Sequence, residues 1–214
     1  MIDDLDRSID ALLRADMPPQ LVEQISISFA APDDQFPPAS VALPAIDLFL
    51  YDIRENQELR SNDWSLQWQD NRFTREPPLV RVDCSYLVTA WASESSPTRA
   101  QDEHRLLGEA MMVLLRHPKL PAAVLQGRLQ NQDPPLPAVA LQPGRLQSMG
   151  EFWQALGGKP KAAFGYTVTI GLQPIEAIEV GDVVTEMTLE MQKKKGKEDQ
   201  RMEDYAVRFK AKPK

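Results

Sequence analysis

Thirteen consecutive residues, Leu79–Trp91, constrain the fold of this chain more than any other stretch. Their sequence, LVRVDCSYLVTAW, places apolar or small residues at every second position from Val80 to Ala90. Alternation with a period of two gives a strand one face for a hydrophobic core. A strand of this length needs partners, because even a two-stranded hairpin is only marginally stable in water. We therefore expect the chain to be built around a β-sheet, with this segment as the longest strand of the core.

Four other segments have the character of strands. Ala45–Ile53 is short and apolar at nearly every position, which is typical of a strand covered on both faces. Phe164–Gln173 alternates large apolar residues with glycine and threonine. Its second face is therefore small and flat, and it suits the close approach of another backbone or helix. Gln24–Ala30 is a further candidate strand, and Trp64–Gln69 is expected at an edge or in a meander.

Helical periodicity marks two longer segments. Met1–Asp16 repeats apolar residues at spacings of three and four and is stopped by a pair of prolines. A second helix is expected to begin with Ser96 as its N-cap and Pro97 in its first turn, and to end at Pro118. Its apolar stripe is wider than packing on one sheet requires. Two interpretations follow: the helix is deeply buried in its own domain, or its spare edge, with Met111, meets a second subunit.

The last forty residues predict a β-hairpin. Val183–Met191 and Tyr205–Ala211 both alternate in apolar character, and the charged sequence KKKGKED lies between them. Because an isolated hairpin is marginal in water, its apolar face must dock on something. The candidate contact residues on that face are Val183, Met187, Leu189, Tyr205, Val207 and Phe209.

A dense basic cluster lies at the expected tip of this hairpin: Lys193, Lys194, Lys195 and Lys197. A solvated tip is the simplest interpretation, contact with an acidic partner surface is the second, and contact with nucleic acid is a distant third. The net charge of the chain is −7. Since phosphate contacts require clustered lysine and arginine, this charge argues against a nucleic-acid surface.

The sequence offers no recognisable catalytic or metal-binding pattern. His104 and His117 are thirteen residues apart, whereas two ligands on one helix face need a spacing of three or four. Gly157-Gly158-Lys159 lacks the spacing and the hydroxyl residue of a phosphate-binding loop, and it is better interpreted as a helix end. We therefore expect no catalytic residue, no metal and no cofactor.

The chain carries no sign of export or of membrane insertion. The first residues, MIDDLDRSIDALLR, are acidic, unlike a secretory signal, and no apolar run approaches the ~20 residues of a membrane span. The single cysteine, Cys84, excludes an internal disulfide and is expected to be a small core residue. We expect the protein in the cytoplasm, with no membrane partner.

Five stretches, taken in order, resemble one known family: the cap, or tail-terminator, proteins of extracellular contractile injection systems. These particles are phage-tail-like assemblies of the antifeeding-prophage and virulence-cassette type. The resemblance covers residues 1 to about 174 and leaves out the hairpin. The stretches that carry it are MIDDLDRSIDALL, PAIDLFLYDIREN, REPPLVRVDCSYLVTAWA, EHRLLGEAMMVLLRHPKLP and EFWQALGGKPKAAFGYTVTIGL.

The resemblance implies both a fold and a role. It implies an α/β (α+β) chain, with a mixed β-sheet flanked by helices as in tail terminators, over residues 1–175, followed by a β-hairpin extension over residues 176–214. It also implies a homohexameric ring that ends the inner tube and anchors the last sheath layer, so that its partners are itself, the tube protein and the sheath protein. Such a protein would be assembled in the cytoplasm into a particle that is either retained or released. No catalytic residue comes with the family.

The ring suggests roles for segments that the residues alone leave unassigned. Phe152 and Trp153, at the end of a short helix, are candidates for the subunit seam, with packing under the chain's own sheet as the alternative. The hairpin is a candidate for adding strands to a neighbouring copy or to the sheath protein. Two other functions stay open: an adaptor that binds one component without forming a ring, and an enzyme with an unfamiliar site.

Overall fold

The computed structural model describes residues 1–69, 72–130, 132, 135–142, 149–157, 160–182, 186–193 and 205–212. The chain forms two compact units. The first consists of Met1–Arg60 and Val80–Leu172, and the second of Ser61–Leu79 and Gln173–Lys214. The second unit thus draws on two separated parts of the sequence. The predicted division at residue 175 stays a prediction.

The first unit begins with a long helix and alternates strands with helices. Two short 3₁₀ turns, at Ala122–Val124 and Gly127–Leu129, connect its third helix to the strand that follows. Its elements are α1 (Ile2–Asp16), α2 (Pro19–Val22), β1 (Ser26–Ser28), β2 (Ala45–Glu55), β5 (Val80–Trp91), α3 (Arg99–Arg116), β6 (Ala138–Ala140), α4 (Met149–Ala155) and β7 (Ala163–Leu172). The second unit contributes β3 (Ser65–Gln69), β4 (Arg72–Glu76), β8 (Ile178–Asp182), β9 (Glu186–Lys193) and β10 (Tyr205–Lys212).

A five-stranded sheet in the order β1-β2-β5-β7-β6 forms the centre of the first unit. β1 runs parallel to β2, whereas every other neighbouring pair in this sheet is antiparallel, so the sheet is mixed. β5 occupies the middle position and pairs along nearly its whole length with β2 on one side and β7 on the other. The predicted mixed sheet and its longest strand are therefore confirmed.

The hydrophobic core lies between one face of this sheet and the helices α1 and α3. On this face of β5, Cys84, Tyr86 and Val88 are fully buried, whereas Val80 at the start of the strand is partly buried. From α1, Leu5, Ile9 and Leu13 are also fully buried and belong to the same cluster. Tyr86 keeps its hydroxyl satisfied by donating to Asp6 Oδ1 at 2.8 Å. The expected core role of Cys84 is confirmed.

The opposite face of the sheet is polar where β5 and β7 meet. Thr169 donates to Asp83 Oδ1 at 2.6 Å, and the hydroxyls of Ser85 and Thr167 are 3.1 Å apart. Both threonines are less than 10% exposed. The small, flat face predicted for β7 therefore ties this strand to β5 through its side chains, in addition to the backbone ladder.

The start of α3 differs from the prediction. The helix begins at Arg99, with Thr98 in the cap position, so Ser96 is not the N-cap and Pro97 is not in the first turn. Ser96 instead accepts a hydrogen bond from the Thr98 amide at 3.1 Å and donates to the side chain of Asp102. The serine hydroxyl therefore organises a turn before the helix, an alternative that serine offers a backbone as readily as a cap.

The second unit holds two strands that the sequence did not predict. β4 and β8 pair antiparallel, and with β3 they form a three-stranded sheet in the order β3-β4-β8. β3 lies at an edge of this sheet, as predicted. β9 and β10 form a separate antiparallel pair, in which Lys193 is opposite Tyr205 and Glu186 is opposite Lys212, so the predicted hairpin arms do pair.

Candidate interaction surfaces

The end of α4 places an aromatic pair against β2. The helix stops because Gly157 adopts a left-handed backbone conformation with φ of +68°, which glycine tolerates without strain. Phe152 then meets two rings of β2, with centroids 6.4 Å away for Phe49 and 5.8 Å for Tyr51. Phe152 is only partly buried. It therefore keeps part of its ring available to a neighbouring molecule.

Trp153, the other half of the predicted seam, is 2% exposed. Its ring meets Phe152 edge-on, with centroids 6.3 Å apart. A side chain this deeply buried in its own chain cannot contact a neighbouring subunit directly. Trp153 can therefore act at a seam only by supporting Phe152, and the seam itself stays a prediction.

A charged cluster lies beside the aromatic end of β5. Lys161 Nζ is 2.7 Å from Glu103 Oε1 and 3.8 Å from the centre of the Trp91 ring. Arg99 also donates to Glu103 Oε1, at 3.2 Å. Burial by itself would raise the pKa of Glu103, but the Lys161 ammonium outweighs burial, with help from the Ala92 amide, and holds that pKa below its usual value. Burial lowers the pKa of Lys161, and Glu103 offsets part of that shift.

This cluster borders a surface cavity of about 400 Å³. Phe36 packs on Trp91 at its floor, with ring centroids 4.3 Å apart. Asp33 and Asp34 line the rim, and the Asp33 carboxylate accepts the backbone amide of Gln35 at 2.9 Å. Among the described lining residues there is no serine, cysteine or histidine. The cluster therefore ties the loop before β2, the end of β5 and the first turn of α3 together, and we assign it no chemistry.

Asp47 is a buried carboxyl group on the second face of the sheet. It is 0% exposed, and within the described part of the chain neither carboxylate oxygen has a hydrogen bond of ordinary geometry. Burial raises the pKa of Asp47 to about 7, and the neighbouring Ser28 hydroxyl and Ala30 amide offset only part of this shift. Asp47 lies opposite Ser28 in the β1-β2 register, so this group is next to an edge strand of only three residues.

Two large apolar side chains face outward in the second half of α3. Met112 is 51% exposed and Leu115 is 45% exposed. Gly108 lies one turn before Met112 on the same side, and a side-chain carbon added at Gly108 would meet no atom within 4 Å. We call these three residues the α3 strip. Met111, the predicted contact, is half-buried and packs against the core cluster, so its interface role stays a prediction.

The three-stranded sheet also has an exposed apolar face. The register places Leu66 opposite Arg75 and Arg75 opposite Ile178, which puts these residues in one row across the sheet. Leu66 is 65% exposed and Ile178 is 53% exposed. Arg75 lies over the Trp64 ring, with Cζ 4.7 Å from its centre. We call Trp64, Leu66, Arg75 and Ile178 the β3-β4-β8 face. Nothing in the residue pattern indicated this face, since two of its three strands were not predicted.

The remaining predicted contact residues lie in the C-terminal hairpin. The register sets Met187 opposite Ala211, Leu189 opposite Phe209 and Met191 opposite Val207, so apolar residues pair with apolar residues at alternate positions. Lys193 is the last residue of β9, opposite Tyr205. Val183, Lys194, Lys195 and Lys197 lie outside the described residues. The proposed contacts of this hairpin stay predictions.

The described residues contain neither a metal-binding cluster nor a membrane-spanning helix. In those residues, no group of three or more histidine, cysteine, aspartate or glutamate side chains is arranged to hold a metal ion. No helix in the described part of the chain is long and apolar enough to cross a membrane.

Comparison with known proteins decides the family. The model of the Pvc16 N-terminal domain matches residues 4–186, which is most of the chain. The chain belongs to the Pvc16 N-terminal domain family. No curated protein matches the chain.

Two solved structures resemble this Pvc16 N-terminal domain protein, and each covers 94% of it. One is the sheath/tube terminator of an extracellular contractile injection system, PVC, in the extended state, with a TM-score of 0.64 and 24% sequence identity. The other is the tube terminating cap of the anti-feeding prophage, with a TM-score of 0.56 and 25% identity. The chain spans 64% and 61% of the lengths of these two proteins. The predicted family and fold are confirmed.

Proposed function

We propose that this Pvc16 N-terminal domain protein ends the tube of a contractile injection particle as a closed ring of six copies. The observation that carries the proposal is the superposition of 94% of the chain on a solved tube terminating cap at 25% identity. Family membership over residues 4–186 supports the same role. In this proposal the protein is a structural component without catalytic activity, and its partners are its own copies, the tube protein and the sheath protein.

The surfaces of the chain support an assembly role. A ring of identical subunits needs two different faces on each copy, because its contacts are heterologous. The α3 strip and the β3-β4-β8 face are two exposed apolar surfaces on separate elements. Each exposes large apolar side chains at neighbouring positions, an arrangement that marks interaction sites more often than scattered single residues do.

The hairpin supports a second part of the proposal, the anchoring of the sheath. Among the strands that the structure describes, β9 and β10 pair with each other and with no third strand, so each offers an outer edge. Such an edge can accept a strand from another protein. We therefore assign the hairpin to the last sheath layer, and the rest of the chain to the tube end.

The decisive experiment compares particles assembled with and without this protein. Tubes made in its absence should vary widely in length, and adding the purified chain should restore one length, both measured by electron microscopy. A class average of the tube end should show six-fold symmetry. Tubes of unchanged length without the protein would contradict a terminating role.

Native mass spectrometry of the purified chain addresses the ring by itself. Six copies of 24.1 kDa would give a species of about 145 kDa. A monomer would mean that the tube end templates the ring, in which case co-expression with the tube protein becomes the test. A single copy bound at the tube end would instead support the adaptor function.

A further inference from the structure

The α3 strip contains a glycine that the chain itself does not require. Gly108 lies in the middle of an eighteen-residue helix, where glycine costs about 0.5–1 kcal/mol relative to alanine. Its backbone is helical, and an added side-chain carbon would meet nothing within 4 Å. Neither a turn nor internal packing therefore explains the residue. A glycine on an exposed helix face does allow another backbone to come close to the helix.

The residues around Gly108 extend this opening into a docking surface. Met112 and Leu115 follow at helical spacing and are 51% and 45% exposed. Arg105 precedes Gly108 by one turn on the same side and is also exposed. Along the helix, the surface therefore presents the positive charge of Arg105, then the space left by the missing side chain of Gly108, and then two large apolar side chains.

The β3-β4-β8 face has the complementary character. Leu66 and Ile178 are the exposed apolar ends of one cross-strand row, about two strand spacings or ~10 Å apart, and Arg75 lies between them over the Trp64 ring. A helix fits a sheet face of this width, and helix-on-sheet packing is a standard layer arrangement of protein cores. The residues that lead into and form β8, 173–182, contain Glu176, Glu179 and Asp182 and no basic residue. An acidic segment therefore borders this row on the side of Ile178.

We propose that the α3 strip of one copy packs on the β3-β4-β8 face of a second copy, with Gly108 at the closest approach. Arg105 of one copy then faces the acidic segment around Glu176 of the other. The contact joins two different surfaces, so it repeats from copy to copy in the way that a closed ring requires. The inference rests on the proposed function, since it identifies the surfaces that the ring would use.

Cysteine cross-linking tests the contact directly. Met112→Cys and Ile178→Cys, each at an exposed position, are prepared as separate proteins. The native Cys84 is fully buried, so it should not form a disulfide with another copy. Under mild oxidation, neither variant should dimerise alone, whereas their mixture should give one disulfide-linked dimer. Glu23→Cys, exposed at the end of α2, replaces either partner as the matched control and should give none.

A mixing experiment provides a second readout that does not depend on disulfide geometry. Leu115→Asp and Leu66→Asp each place a charge on one of the two surfaces, at positions exposed enough to leave folding intact. Each variant alone should fail to form rings. Their equimolar mixture should stop at a one-to-one dimer, since each protein keeps one intact surface.

The outcomes separate this contact from the ring itself. A six-copy species in native mass spectrometry, with no cross-link above the Glu23→Cys control, overturns the contact and leaves the proposed ring standing. A specific cross-link without any six-copy species supports the contact and shows that closure needs the tube. Dimerisation of Met112→Cys alone overturns the proposal, because it would mean that α3 packs on α3.

Discussion

Asp47 shows how a single residue can set the pH response of a fold. Its carboxyl group is enclosed in the sheet, and its pKa is raised from 3.8 to about 7 because burial penalises the charged form. A folded state that holds a proton more tightly than the unfolded chain is most stable at low pH. The stability that this proton contributes is fully present below pH 4 and is lost as the pH rises towards 7.

Asp47→Asn should remove this pH dependence. Between about pH 4.5 and 7, the free energy of unfolding of the wild type should fall by up to about 1.4 kcal/mol per pH unit relative to the variant. Urea unfolding across this range measures the difference. Asp63→Asn, at an exposed position just before β3, is the matched control and should leave the slope unchanged. A wild-type slope that persists in Asp47→Asn would show that another group titrates.

Phe152 and Trp153 are adjacent residues with separable roles. Trp153→Ala should cost about 3–5 kcal/mol in the free energy of unfolding, because it opens a cavity at a site that is 2% exposed. Phe152→Ala should cost less, since part of its ring already faces solvent. If Phe152 lies at the seam, the Phe152→Ala substitution should also reduce the amount of six-copy ring seen in native mass spectrometry. A Phe152→Ala protein that folds and assembles like the wild type would remove this helix from the seam.

At the scale of the element, α3 combines a fully buried side with a side that is left open. Its periodicity predicted a wide apolar stripe, and two interpretations of that stripe were possible. The structure shows both features in one helix: Leu106, Ala110 and Leu114 belong to the core, and Met112 and Leu115 face outward. A helix with apolar residues on both sides is more hydrophobic than its own domain needs.

Gly108→Ala should separate the stability of α3 from its use in assembly. Replacing a mid-helix glycine that has open space should raise the free energy of unfolding by about 0.5–1 kcal/mol. The same methyl group should weaken contact between copies, measured as a loss of six-copy species. Gly150, also helical and open but outside the α3 strip, provides the control: Gly150→Ala should leave assembly unchanged. Equal effects of the two substitutions on assembly would argue against a special role for Gly108.

At the scale of the whole molecule, the strand order allows the hairpin to be removed without cutting another sheet, because β9 and β10 form a sheet of their own. β8 pairs with β4, so a chain that ends at Asp182 keeps the three-stranded sheet and loses only β9 and β10. Particles with this truncated protein should have tubes of normal length but loosely attached or missing sheath ends in electron micrographs. Intact sheath ends would show that the hairpin does not anchor the sheath. Ending the chain at residue 175 instead should also disturb the β3-β4-β8 sheet.

The sequence predicted the first unit better than the second, for physical reasons. β5 and β7 are long, and each packs one face in the apolar core and the other in a buried polar layer, so apolar and polar residue types alternate along both strands. β4 reads RFTRE, with a charge at most positions, and β8 has only five residues, so neither differs clearly from a loop. For the same reason the exposed row of Leu66 and Ile178 could not be foreseen. It exists only through the pairing of distant segments.

The candidate interaction surfaces were also predicted only in part. Sequence periodicity identified α3 as unusually apolar but could not say that Met112, not its neighbour Met111, faces outward. The periodicity of an apolar helix stripe does not show which side of the stripe faces the sheet. The burial of Trp153 was equally hidden, since an aromatic residue at a helix end is equally compatible with a core and with an interface. Contacts between distant segments decided both cases.

The central sheet ends on each side in a strand of three residues, β1 and β6. Edges this short give an incoming strand few backbone groups to join, and they protect natural sheets from runaway growth and fibre formation. In the proposed ring, six copies would meet at one end of a tube, at a very high local concentration. The short edge strands of the central sheet would limit aggregation by strand pairing at that concentration.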